Sequence, residues 1–120
     1  MTFYYLATPY TAHPGGLEIA YTQACEQAAF LISHGIPAFS PIVHSHPIAT
    51  IGGLPHCDHD LWLRIDEHYM NGARAMIWCE LAGHNKSHGM AWESSKFTAH
   101  NKRVITMRPW TVPRSIQVLQ

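Results

Sequence analysis

Short apolar runs alternate with helical patterns along the chain, and this alternation restricts the fold more than any other feature. Phe3 to Ala7 is an aromatic-rich apolar run that Thr8-Pro9 ends, as is typical of a buried strand. Leu17 to His34 then repeats apolar residues at helical spacing, and Gly35 follows as a stop signal. Strands that alternate with helices favour parallel βαβ units.

The remaining segments continue this pattern, with one long interruption. Ile36 to Ser40 is predicted as the second strand, and Pro41 ends it. Ile42 to Asp58 is predicted as a loop, because prolines and glycines break any regular pattern. Beyond it we expect a helix from about His59 to Asn71, capped by Gly72, and then a strand from Ala73 to Cys79. A further helix is predicted from near Ser87 to about Asn101, followed by a strand from Arg103 to Met107. The tail from Val112 to Leu119 adds a fifth strand or covers an edge of the sheet. A loop as long as 42 to 58 is usually functional.

These elements predict an α/β fold with helices on both faces of the sheet. Crossovers between parallel strands are right-handed, which gives a flavodoxin-like or Rossmann-like three-layer sandwich with four or five mostly parallel strands. A chain of 120 residues forms one domain, covering residues 1–120. Ligands in such folds bind beyond the carboxyl ends of the strands, here near Ala7 to Thr11, Ser40 to His46 and Cys79 to Gly89.

The charge balance excludes several classes of partner. Eight Lys and Arg residues balance eight Asp and Glu residues, and no basic run predicts binding to duplex nucleic acid or an anionic membrane. No window approaches the ~18 apolar residues of a membrane span, and the N-terminus lacks the charged start of a signal peptide. The three cysteines form no Cys-x-x-Cys pair, so reduced thiols are expected. We therefore expect a cytoplasmic protein that binds a small molecule.

Glu93 is the carboxylate with the most promising position. It lies near the start of the last predicted helix, where the helix dipole is expected to keep it ionised. An ionised carboxylate there can attack the anomeric carbon of a sugar as a nucleophile. The alternative is an ordinary surface glutamate that pairs with Lys96.

Ser87 and Asp66 each allow two interpretations as well. Ser87, two residues before Gly89, offers a hydroxyl and backbone donors suited to a phosphate, or is a plain N-cap. Asp66 lies on the same side of its helix as Trp62 and Tyr69, so burial can raise its pKa and make it a proton donor. Alternatively, it is a solvated residue near Arg64.

The ten histidines suggest a different class of function. His44-x-His46 and the segment His56-Cys57-Asp58-His59 gather metal-ligand types in one region, which would fit a His-rich metal-binding protein or a metal-dependent hydrolase. Neither segment has the spacing of a specific zinc motif. We therefore predict neither a metal nor a cofactor.

Three segments carry a resemblance to a known family. Tyr4-Tyr5-Leu6-Ala7-Thr8-Pro9-Tyr10 resembles the opening of nucleoside 2-deoxyribosyltransferases and related N-hydrolases, and Ser87-x-Gly89-x-x-x-Glu93 resembles a motif of the nucleotide hydrolases in that superfamily. The stretch Phe39 to Pro47 looks like a poorly characterised bacterial and phage subgroup. The matches occur in order along nearly the whole chain.

The resemblance implies a role for individual residues. Glu93 takes the place of the nucleophile that attacks C1′, and Tyr5 that of the strand-one tyrosine that hydrogen-bonds it, with Tyr4 on the opposite face of the strand. Ser87 stands where relatives that act on 5′-monophosphates have serine. The substrate-binding positions implied in this way are Ser87, Gly89, Pro9, Tyr10, His44 and His46.

The chain also departs from the family pattern, which leaves the leaving-group acid open. Asp66 is the nearest acidic candidate, but a gap-free alignment on Asn71-Gly72 puts Tyr69 at that position, and His44 or His46 could replace it. Arg74 stands where relatives usually have an acidic residue, and nothing in the sequence explains it. The resemblance implies N-glycosidic hydrolysis or base exchange on a (deoxy)nucleoside 5′-monophosphate by a homodimer. A non-catalytic nucleotide sensor on the same fold is the remaining alternative.

Overall fold

The computed structural model describes residues 2–114 and residue 116. Within these residues there are four strands and four helices, which alternate except where the third helix follows the second, and one short 3-10 turn precedes the last helix. In order they are β1 (Tyr4–Ala7), α1 (Leu17–Ser33), β2 (Ala38–Phe39), α2 (Pro41–Gly52), α3 (His59–Gly72), β3 (Ala75–Cys79), the 3-10 turn (His84–Lys86), α4 (His88–Ala99) and β4 (Val104–Met107).

The four strands form one parallel sheet in the order β2-β1-β3-β4. Tyr5 is opposite Met76, and Ile77 is opposite Ile105, so β1 and β3 occupy the centre of the sheet. The α/β class and the Rossmann-like arrangement are confirmed. The predicted fifth strand does not occur in residues 112–114 or at residue 116, and the rest of that tail lies outside the described residues.

Alternating side chains of β1 enter two separate cores, one on each face of the sheet. Tyr4 and Leu6 pack with Leu31 of α1 on one face. Tyr5 and Ala7 pack on the other face with a cluster that α3 and α4 contribute, which includes Met70, Met90 and Phe97. This two-residue period is the expected result of burying both faces of a strand. It aims Tyr5 at α4, the helix that carries Glu93.

The prediction of a loop from Ile42 to Asp58 was wrong, because most of it is helix α2. Ser40 caps this helix by accepting a hydrogen bond from the Val43 N–H at 3.2 Å, and Pro41 occupies its first turn, where proline is well tolerated. Pro47 lies inside the helix, and Gly53 ends it with a φ of 72°. Proline inside a helix favours a break, whereas the Ser40 cap and the buried side chains of α2 hold this helix together.

Smaller corrections concern the ends of elements. Gly72 is the last residue of α3 and Ala73 is its C-cap, so β3 begins at Ala75 rather than at Ala73. The Lys102 ammonium group donates to the Met70, Asn71 and Ala73 carbonyl oxygens, which gives hydrogen-bond partners to carbonyl groups at the end of α3.

Within the described residues, no helix combines the length and apolar character of a membrane-spanning segment.

Candidate active site

Glu93 lies at the carboxyl end of the sheet with its side chain turned towards β1. Ser87 caps α4 by accepting from the Met90 N–H at 3.2 Å, and Glu93 follows in the second turn with 6% of its surface exposed. The Tyr5 hydroxyl donates a hydrogen bond to the Glu93 carboxyl group. The alternative of a surface glutamate paired with Lys96 is wrong, since Lys96 pairs with Glu67 at 3.4 Å.

Burial sets the charge state of Glu93. Desolvation raises its pKa from 4.5 to about 8, and the nearby Asp66 also raises it, while the Tyr5 hydrogen bond acts in the opposite direction. The expectation that the helix dipole keeps Glu93 ionised is therefore corrected. The dipole acts over the first turn, whereas Glu93 lies beyond it and is removed from water.

Asp66 of α3 is the second buried carboxyl group at this edge of the sheet. Only 7% of its surface is exposed, and burial raises its pKa from 3.8 to about 7. Its Oδ1 atom has no hydrogen-bond partner among the described residues. The alternative of a solvated aspartate near Arg64 is wrong, because the Arg64 guanidinium turns back to the Asp60 carbonyl oxygen at 3.1 Å. Asp66 is thus available to a ligand as a proton donor.

Both carboxyl groups line one cleft of about 630 Å³, a volume that includes space open to solvent. Ser87, Gly89 and Tyr10, three of the predicted substrate-binding residues, also line it. The other lining residues follow β1 or come from α2, the connection from α2 to α3, α3 and α4: Thr8, Thr11, Pro41, Ile42, Ser45, His56, His59, Trp62, Leu63 and Met90. The cleft combines an apolar, aromatic side with a small set of polar groups, as small-molecule sites usually do.

One family model matches residues 2–109, and its description is a domain of unknown function, DUF1937. The chain belongs to the DUF1937 family. A comparison with curated proteins finds no match. The description of the DUF1937 family names no activity.

Three predicted substrate-binding residues of the DUF1937 chain do not line the cleft. Pro9 is fully buried. The other two, His44 and His46, lie on α2, and its helical form turns them away from the cleft. Ile42 and Ser45 are one turn apart and face the cleft, which turns His44 and His46 to other sides of the helix.

His44 and His46 have other neighbours instead. The His44 ring packs 5.2 Å from the Tyr69 ring, and Tyr69 itself stacks on Phe39 at 4.4 Å. His46 hydrogen-bonds the Tyr10 hydroxyl at 2.6 Å and Glu18 at 2.8 Å. Of the four candidates for the leaving-group acid, only Asp66 lines the cleft.

Several cleft residues were missed by the sequence analysis. The Thr8 hydroxyl is buried, lines the cleft and has no partner among the described residues. Its place directly after β1 was a usable signal, since ligands bind at strand ends. Ser45 likewise lies within the predicted strand end Ser40 to His46. His59 and Trp62 gave no such signal, because their approach to the cleft depends on how α3 packs.

The histidine-rich segments do not converge on a metal site. Within residues 2–114 and residue 116, no three His, Cys, Asp or Glu side chains are grouped so that they could hold a metal ion. His56 instead hydrogen-bonds the Thr50 hydroxyl at 2.8 Å. The metal-binding alternative therefore has no ligand set in the described part of the chain.

Proposed function

We propose that this DUF1937 protein is a cytoplasmic enzyme that cleaves the N-glycosidic bond of a (deoxy)nucleoside 5′-monophosphate, by hydrolysis or by transfer to another base. The observation that carries the proposal is the hydrogen bond from Tyr5 to Glu93 in a cleft that Asp66 also lines. The resemblance to nucleoside 2-deoxyribosyltransferases, which assigns this pairing to the nucleophile, supports it from the sequence.

In the first step, the ionised Glu93 carboxylate attacks C1′ of the sugar. A C–O bond to Glu93 forms, the C1′–N bond breaks, and its electron pair leaves with the base. Asp66 donates a proton to the departing base and becomes a carboxylate. In the second step Asp66 takes a proton from water, whose oxygen attacks C1′ and releases Glu93. A second base in place of water would give the transfer reaction.

The cycle requires the two carboxyl groups to share one proton. Both pKa values are raised, Asp66 to about 7 and Glu93 to about 8, so near neutral pH the pair retains a proton, and the higher pKa of Glu93 favours holding it there. The reactive form is the other one, with the proton on Asp66 and the negative charge on Glu93. The Tyr5 hydroxyl favours this form, because it donates to the Glu93 carboxylate.

The start of α4 provides the place for a 5′-phosphate. The Ser87 hydroxyl acts as the N-cap, so the plain structural interpretation of Ser87 is correct. The first backbone N–H groups of a helix lack backbone partners within it. In α4 the Met90 N–H donates to Ser87, which leaves those of His88 and Gly89 next to the cleft that Ser87 and Gly89 line. Phosphate binding there uses the helix dipole as well as these donors.

Base release from a panel of nucleoside and deoxynucleoside 5′-monophosphates tests the proposal. Chromatography should detect free base with the wild-type protein and none above background with Glu93→Ala. Glu67→Gln is a matched control, since Glu67 is an exposed glutamate whose ion pair with Lys96 lies outside the cleft. Nucleotide-dependent thermal stabilisation without base release would instead support the non-catalytic sensor.

We also propose that the protein forms a homodimer or a higher homo-oligomer, as its relatives by resemblance do. Ile48, Ile51 and Leu54 leave large apolar side chains in solvent at the end of α2, and Ile51 is 87% exposed. Burying them against a second copy would be favourable. Light scattering should give at least twice the 13.5 kDa monomer mass, and Ile51→Glu should reduce it.

A further inference from the structure

A chain of hydrogen bonds leads from the cleft to the surface through a buried histidine. The Tyr10 hydroxyl bonds His46 Nδ1 at 2.6 Å, and His46 Nε2 bonds the Glu18 carboxylate at 2.8 Å. Tyr10 lines the cleft, whereas His46 and Glu18 do not. His46 is buried, and the Glu18 side chain is 75% exposed.

The His46 ring is held from several sides. Tyr21 of α1 stacks on it at 4.5 Å with an angle of 23° between the rings, and the Tyr10 ring meets its edge. The His56 ring lies 5.2 Å away, and His56 also lines the cleft. The orientation of both ring nitrogens is therefore fixed by packing as well as by hydrogen bonds.

The partner of each nitrogen determines where the protons lie. A carboxylate can only accept, so the bond to Glu18 requires a proton on Nε2. In a neutral imidazole this leaves Nδ1 as an acceptor, and the Tyr10 hydroxyl must donate to it. The lone pairs of the Tyr10 oxygen then remain for a hydrogen-bond donor in the cleft. Burial raises the pKa of Tyr10 to about 12, which keeps its hydroxyl protonated.

We propose that Glu18 and His46 fix the Tyr10 hydroxyl as an acceptor for an amino group on the base of the substrate. This inference rests on the proposed function, since it takes the ligand to be a nucleotide. Tyr10 lines the same cleft as Ile42 and Trp62, whose apolar and aromatic side chains suit a planar base better than a phosphate. Tyr10 is then a binding residue, and His46 and Glu18 are positioning residues.

The tautomer of His46 can be measured without any substrate. Two-bond ¹H–¹⁵N spectra should show the proton on Nε2 and an unprotonated Nδ1. Glu18→Gln should introduce a population protonated at Nδ1, because the glutamine amide can donate to Nε2. A proton on Nδ1 in the wild-type protein would overturn the proposal.

Binding to the Glu93→Gln variant, in which no turnover competes, tests the choice of base. Deoxycytidine 5′-monophosphate carries an amino group at C4 and an acceptor at N3, whereas deoxyuridine 5′-monophosphate has a carbonyl oxygen at C4 and an N–H at N3. We expect calorimetry to show about tenfold tighter binding of the cytidine nucleotide. Adding Tyr10→Phe or Glu18→Gln should reduce that ratio towards one.

Tyr21→Phe is the matched control, because it keeps the ring that stacks on His46 and removes a hydroxyl outside the chain of hydrogen bonds. It should leave the ratio unchanged. Equal binding of both nucleotides, or no binding of either, would refute the choice of base. Base release by the wild-type protein without this selectivity would refute the inference alone, whereas selective binding without base release would refute only the catalytic proposal.

Discussion

The Tyr5 hydroxyl donates a hydrogen bond to the Glu93 carboxyl group, joining the first strand to the last helix across 88 positions of the chain. Both side chains are buried, and the bond favours the ionised form of Glu93 against the desolvation that opposes it. A hydrogen bond of this kind stabilises the ionised carboxylate, which is the form that a nucleophile at the edge of the cleft needs.

Removing this hydroxyl should weaken the nucleophile without removing it. In Tyr5→Phe, the pKa of Glu93 should rise further, because the hydrogen bond that lowers it is lost. The acidic limb of the pH profile of kcat should move to higher pH, and base release near neutral pH should fall about tenfold. An unshifted limb would mean that Tyr5 does not tune Glu93. Tyr4→Phe, on the opposite face of β1, is the control.

Glu93 should lower the stability of the fold at alkaline pH. Its pKa is 4.5 ordinarily and about 8 in the folded protein, so the folded state resists ionisation as the pH rises between these values. Glu93→Gln should therefore raise the free energy of unfolding by more than ~1 kcal/mol at about pH 8 and change it little at about pH 5. Denaturant titrations at both pH values check this, with Glu67→Gln showing no such pH dependence.

Asp66 should matter most when the leaving group needs a proton. Asp66→Asn should reduce base release from natural nucleotides by about 10²-fold or more. It should have little effect on the first-turnover burst of 4-nitrophenolate from a 4-nitrophenyl 2-deoxyriboside 5-phosphate, whose leaving group departs as an anion. Turnover after the burst should slow, because Asp66 also activates water in the second step. An equal loss of the first-turnover rate on both substrates would rule out Asp66 as the general acid.

Gly83 should be essential for the loops that border the cleft. Its φ of +95° is strained for other residues, and a Cβ atom there would overlap the Ala12 carbonyl oxygen in the loop that carries Tyr10 and Thr11. Gly83→Ala should cost about 2–4 kcal/mol of unfolding free energy and reduce nucleotide binding. Gly53→Ala is the control, with a positive φ but open space, and should cost ~1 kcal/mol. Equal melting temperatures for the two variants would contradict this.

The parts of the fold that follow from local patterns were predictable from the sequence. Periodicity indicated α1, and the apolar runs indicated the four strands, because burial on both faces of a sheet requires such runs. Helix α2 was not predictable in this way. Its Pro47 is a local signal against helix, and the packing that overrides it comes from residues distant in sequence.

The candidate site was predictable to a similar extent. Glu93 and Tyr5 were singled out by resemblance and by strand alternation, and they do meet. The raised pKa of Glu93 depends on burial, and the placement of His44 and His46 outside the cleft depends on the turn of α2. The link from Tyr10 through His46 to Glu18 joins three elements, and no local pattern indicates it.

The most direct test of the central claim is mass spectrometry of a trapped glycosyl-enzyme. A nucleoside 5′-monophosphate with fluorine at C2′ destabilises the oxocarbenium-like transition state and slows release of the sugar from the nucleophile. The intact protein should gain the mass of one fluorinated sugar phosphate, and peptide fragmentation should locate it on Glu93. Glu93→Gln should gain none. An adduct on another residue, or base release by Glu93→Gln at the wild-type rate, would contradict the account.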